Sequence, residues 1–102
     1  MFKILLLDDD NSILEVVSLV LTRKKLEVIA INDPSLLNNL LEQHHPDLLL
    51  MDIALGTYDG RNICREIKDS PAAEMPVILF SAQSFTDESI CECKADAVIK
   101  KP

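Results

Sequence analysis

Lys3-Ile4-Leu5-Leu6-Leu7-Asp8-Asp9-Asp10 and Leu48-Leu49-Leu50-Met51-Asp52 share one pattern, an unbroken apolar run that stops at aspartate. A short continuous apolar run bounded by charge reads as a strand buried on both faces, the habit of parallel sheets. If the two strands run side by side, their terminal carboxylates meet at one edge of the sheet. Gathered carboxylates repel one another, and aspartate oxygens are natural ligands of a hard cation such as Mg2+.

Apolar strands alternate with helix-length segments outward from these two runs. Strands are predicted at 3–8, 27–31, 48–52, 77–81 and 97–100. Ser12-x-x-Glu15 reads as a capping box. It opens a helix whose apolar stripe is Ile13, Val16, Val17, Val20 and Leu21, widened by Leu14 and Leu19 so that more than one neighbour covers it. Asp33-Pro34 starts a second helix with Leu36, Leu37, Leu40 and Leu41 on its buried face, ended by Pro46 with His44-His45 as its polar end. A third helix is expected over 61–69 around Ile63 and Ile67, and a weaker one over 86–94.

Strand–helix alternation implies right-handed crossovers and a doubly wound α/β fold with helices on both faces of a mostly parallel sheet. The 102 residues form one domain, with no repeat, linker or low-complexity stretch. A net charge of −7 argues against binding nucleic acid, which is drawn to basic faces. No apolar run approaches the ~20 residues of a membrane span, and no leader pattern opens the chain. Three cysteines, Cys64, Cys91 and Cys93, suit a reducing cytoplasm as small buried or half-buried residues.

Ligands of such sheets bind beyond the carboxyl ends of the strands. The polar residues found there are Asp8, Asp9, Asp52, Ser81 and Lys101, all at or just past a strand end. Asp52 follows a dry run and is the best-placed nucleophile, since carboxylates accept phosphoryl groups. Asp8 and Asp9 with Asp52 would hold Mg2+, Lys101 would add positive charge and Ser81 a hydroxyl. Asp10 reads as a residue favoured beside a helix N-terminus. Both glycines, Gly56 and Gly60, fall in the loop after Asp52, where positive φ or close approach of the backbone asks for glycine; a plain tight turn would explain Gly60 equally.

Taken together, Ile4 to Asp10, Pro46-Asp47 through Asp52 with Asp59-Gly60 following, Val77-Ile78-Leu79-Phe80-Ser81-Ala82 and Lys101-Pro102 resemble the receiver domain of two-component response regulators over essentially the whole chain. The resemblance implies a flavodoxin-like sheet of order 2-1-3-4-5. It implies that Asp52 takes a phosphoryl group from a histidine kinase or histidine phosphotransfer protein, that Asp8 and Asp9 position Mg2+, and that Ala54 lends a main-chain carbonyl to the metal. Ser81 matches the switch hydroxyl and Lys101 the phosphate-binding lysine. Such a chain is a cytoplasmic signalling module that assists its own phosphotransfer and dephosphorylation, rather than an enzyme.

Three departures stand out. Gly56 occupies the place of a common proline, Val98 that of the usual aromatic switch residue, and the sequence stops at Pro102 without the family's last helix. The last departure predicts an open apolar face, so that the chain is either a shortened piece of a longer regulator or self-associates, as in a homodimer, to cover that face. Two rival readings remain at this point. Asp8-x-Asp10-x-Ser12 loosely matches the nucleophile motif of haloacid-dehalogenase-type phosphatases, with Asp8 as nucleophile, and a receiver-like interaction domain that is never phosphorylated would keep the same fold.

Overall fold

The computed structural model describes residues 1–72, 74–81 and 94–100. In chain order the elements are β1 (Lys3–Leu7), α1 (Asn11–Arg23), β2 (Glu27–Ile31), a 3-10 turn (Pro34–Leu36), α2 (Leu37–His44), β3 (Leu48–Asp52), β4 (Ala54–Leu55), β5 (Tyr58–Asp59), α3 (Gly60–Lys68), β6 (Val77–Ser81) and β7 (Ala97–Lys100). The main sheet has the order β2-β1-β3-β6-β7, and every pairing in it is parallel. With the short β4–β5 ribbon set aside, this is the predicted 2-1-3-4-5 order.

Alternation along each strand sorts the core into two layers. Leu5, Leu7, Leu49, Met51, Val77 and Leu79 pack with Leu37, Cys64 and Ile67 of α2 and α3. Leu6 and Phe80 pack with Leu14 of α1 on the opposite face. Burying each such side chain is worth about 1.5–3 kcal/mol, so the leucine-rich central strands anchor the fold. Cys64 is fully buried, as expected.

Two helix starts differ from the sequence reading. Asp10, not Ser12, caps α1: its side chain accepts the Ser12 N–H at 2.9 Å, and its carbonyl accepts the Leu14 N–H at 3.1 Å. Aspartate and serine cap about equally well, so the acid two residues upstream takes the position. Only Leu14 is buried on α1, while Val16, Leu19 and Val20 are 60%, 53% and 47% exposed. The apolar stripe is wider than the face the helix turns to the sheet. Leu36 is also exposed rather than buried. It sits in the 3-10 turn, whose tighter winding puts it out of phase with Leu37, Leu40 and Leu41.

Asp33 accepts both the backbone N–H and the hydroxyl of Ser35, as a cap with Pro34 behind it. His45 adopts a left-handed conformation at the end of α2, just before Pro46. Across the far end of the sheet, Lys68 Nζ donates to Asp96 Oδ2 at 2.6 Å and to the Met75 carbonyl at 2.9 Å. The same Asp96 oxygen accepts the Val77 N–H at 2.8 Å. One carboxylate thus clasps α3, β6 and β7. It is held below its ordinary range by the Lys68 hydrogen bond, then by that of Val77. No helix among the described residues is long and apolar enough to cross a membrane.

Candidate functional site

Register brings the acids together. Leu7 of β1 pairs with Met51 of β3, so Asp8 and Asp52, one residue further on, leave the sheet side by side. Oxygens of Asp8, Asp9 and Asp52 all lie within 4.8 Å of one another. Asp8 is fully buried and Asp52 nearly so, whereas Asp9 is exposed at the mouth. Carboxylates this deep and this close require positive charge in the same pocket, from an ion or from side chains.

Local hydrogen bonds aim the two buried carboxylates. The Asp10 N–H donates to Asp8 Oδ1 at 2.9 Å, and the Asp8 N–H donates to the Ile31 carbonyl, fastening the turn to β2. The Ala54 N–H donates to Asp52 Oδ1 at 3.2 Å. Asp10, the second acid of the dehalogenase-type motif, has its Oδ1 engaged in capping α1.

The loop after Asp52 folds back as the antiparallel ribbon β4–β5, with Ala54 opposite Asp59 and Leu55 opposite Tyr58. The two glycines there serve different needs. Gly56 has φ +65° with open space around it, so it answers a conformational demand. At Gly60 a side chain would collide with the Asp52 carbonyl oxygen and the Ile53 backbone, so it answers a demand for room. The Gly60 N–H donates to the Ile53 carbonyl at 2.7 Å, drawing the start of α3 onto the end of β3. Asp59 caps α3 through the Arg61 N–H at 2.8 Å, and the Arg61 guanidinium grips the same carboxylate at 3.0 and 2.7 Å. That grip holds Asp59 below the usual carboxylate range despite partial burial.

The donor set suits Mg2+. An octahedral shell with oxygens about 2.1 Å from the ion sets neighbouring oxygens about 3 Å apart and opposite ones about 4.2 Å apart, so three carboxylate oxygens within 4.8 Å of one another stand where they can converge on such an ion. Among the sequence-predicted residues, Asp8, Asp9, Asp52 and Ala54 stand together. The β6 backbone ends beside them, since Phe80 pairs with Asp52 and Ser81 follows it. The Ser81 hydroxyl, Lys101, Cys91, Cys93 and the helix expected over 86–94, but for Lys94, lie outside the described residues. Val98 is half-buried and packs on the core. Sequence reading missed the Asp59–Arg61 grip and the ribbon, whose one local signal was Gly56.

Residues 4–102 match the response regulator receiver domain family. Among solved structures, the N-terminal domain of a response regulator receiver protein from Methanoculleus marisnigri JR1 is 30% identical, with a TM-score of 0.90 over 100% of this chain and 85% of that one. The signal receiver domain of a DNA-binding response regulator from Colwellia psychrerythraea 34H is 25% identical, with a TM-score of 0.88 over 100% and 87%. A Thermotoga maritima response regulator, solved in complex with Mg(2+)-BeF, shares the fold at 24% identity, with a TM-score of 0.88 over 100% and 88%.

Proposed function

We propose, for a chain that belongs to the response regulator receiver domain family, that Asp52 accepts a phosphoryl group from a histidine kinase or a histidine phosphotransfer protein. The convergence of the Asp8, Asp9 and Asp52 oxygens within 4.8 Å at the carboxyl edge of the sheet is the observation that carries this reading. Receiver domains are signalling domains, and residues 1–102 act here as one such unit in the cytoplasm.

In the proposed step an Asp52 carboxylate oxygen forms a bond to phosphorus as the phosphorus–nitrogen bond of a phosphohistidine breaks, and the imidazole leaves. Asp8, Asp9, Asp52 and the Ala54 carbonyl would hold Mg2+, which supplies positive charge to the phosphoryl oxygens. The Ala54 N–H fixes Asp52 Oδ1, leaving the nucleophile little rotational freedom. Burial of Asp8 and Asp52 keeps bulk water from competing. The Ser81 hydroxyl and Lys101 would then be drawn to the added charge, shifting the β6–β7 side of the sheet between two states. With valine at position 98 that shift travels without a turning aromatic ring.

The exposed Val16, Leu19 and Val20 support a further proposal, that a second copy covers α1. Sedimentation at increasing concentration is expected to show a dimer that Val20→Glu abolishes; a monomer at all concentrations would contradict it.

Treatment of the folded protein with acetyl phosphate and Mg2+, followed by peptide mass mapping, tests the function. One phosphoryl group on the Asp52 peptide, absent in Asp52→Asn, is the expected result. A folded protein that stays unmodified supports the unphosphorylated reading instead, and a group on Asp8 overturns the assignment.

A further inference from the structure

On the sheet face away from α1, a groove runs between α2 and α3. It consists of three adjoining concavities of about 390, 390 and 460 Å3. Asn38, Ile63 and Glu66 are shared by the first two, and Leu41, Pro71 and Ala72 by the first and third, so the three form one channel. Its floor is apolar: Leu37, Leu41, Ile63, Ile67 and Ala72.

The walls carry charge of one sign. Glu42, Asp47, Asp59, Glu66 and Glu74 line the channel, and among the described residues no lysine or arginine does. Two of the three cations of α3 are engaged elsewhere, Arg61 with Asp59 and Lys68 with Asp96 and the Met75 carbonyl. Among the described residues no cation pairs with Glu42 or Glu66. An apolar floor between acidic walls rejects nucleic acid and anionic surfaces, and attracts a segment with one apolar face and basic flanks. The channel lies along helices of 8 and 9 residues, a length that seats about two to three turns of a docked helix.

We propose that this groove docks a basic amphipathic helical segment of a partner protein, with its apolar side chains over Leu41, Ile63 and Ile67 and its cations against Glu42 and Glu66. The surface is separate from the Asp8–Asp52 pocket and does not rest on phosphorylation there.

A blocked synthetic peptide of about fourteen residues serves as the probe, with leucines at i, i+3 and i+7 flanked by lysines. It is titrated into isotopically labelled protein and followed by amide shifts. The expected shifts fall on residues 37–45 and 58–72 and weaken with added salt. Glu42→Lys combined with Glu66→Lys, two exposed positions whose exchange leaves the circular dichroism unchanged, lowers affinity at least about tenfold. A control peptide with glutamates for lysines does not bind. Asp52→Asn protein binds the lysine peptide as the wild type does, which keeps this test independent of the phosphoacceptor assignment. Shifts centred on α1 or on Asp8 and Asp52, affinity unchanged in the double variant, equal binding of the control peptide, or no binding would each overturn the proposal.

Discussion

Asp8, Asp9 and Asp52 face one another, whereas Asp59 and Asp96 each face a cation. Both groups sit at the ends of strands or helices, and both include carboxylates drawn into the protein. Asp59 and Asp96 spend their charge on Arg61 and Lys68 and on backbone N–H groups, which pulls their protonation below the ordinary range. The register of β1 and β3 gathers the three site acids into one pocket. An acid paired singly with a cation stabilises the fold, whereas acids gathered in one pocket add mutual repulsion that positive charge in that pocket must offset. The difference separates structural aspartates from candidate functional ones in a chain that has many.

That contrast breaks most visibly under substitution. Asp8→Asn or Asp9→Asn is expected to weaken Mg2+ binding by more than about tenfold in calorimetry, because each removes a charged ligand. Without the metal, Asp9→Asn raises the thermal midpoint, since it relieves repulsion. Asp96→Asn must show the reverse pattern, with Mg2+ affinity preserved and stability reduced. If Asp9→Asn and Asp96→Asn behave alike, the two classes are not distinct.

Gly60 lies between the classes, where the backbone after Asp52 meets the Asp59 cap. Gly60→Ala is expected to cost about 2–3 kcal/mol in denaturant unfolding, as its methyl group must displace the Asp52–Ile53 backbone. Gly56→Ala costs only about 1 kcal/mol, the conformational penalty of positive φ in open space. Equal losses at the two positions would contradict the assignment of room to one and conformation to the other.

An effect no larger than that at Gly56 belongs to the clasp. Asp96→Asn is expected to lose about 1 kcal/mol, modest because the Asp96 side chain is 48% exposed and solvent screens the pair. The folded protein holds Asp59 and Asp96 below their ordinary value of 3.8. Their contribution is therefore complete above that value in the unfolded chain, and is lost as pH falls through the lower folded values. Unfolding midpoints measured below about pH 4 should decline less in the Asp59→Asn, Asp96→Asn protein than in the wild type.

What the sequence revealed follows from which interactions are local. β2, β3, β6 and β7 begin and end at the predicted residues, because each is a short apolar run bounded by charge or by Pro46 and Pro76. The same regularity aligns Asp8 with Asp52. The start of α1 was less legible, since Asp10 and Ser12 are both good caps and the local pattern does not rank them. β4 and β5 are two residues each, too short to show a period. The Lys68–Asp96 clasp joins residues 28 apart, and no local pattern announces such a pair. Convergence of the site acids was readable from strand order, while the bonds that orient them emerged only in three dimensions.

Titration with Mn2+ in place of Mg2+, followed by amide NMR, tests most directly whether one divalent ion sits among the acids of both strand ends. Residues 8–10 and 52–54 should broaden first and together, with Asp9→Asn shifting the effect to higher Mn2+. Early broadening at only one of the two stretches, or at Asp59 and Asp96 instead, would contradict a shared site.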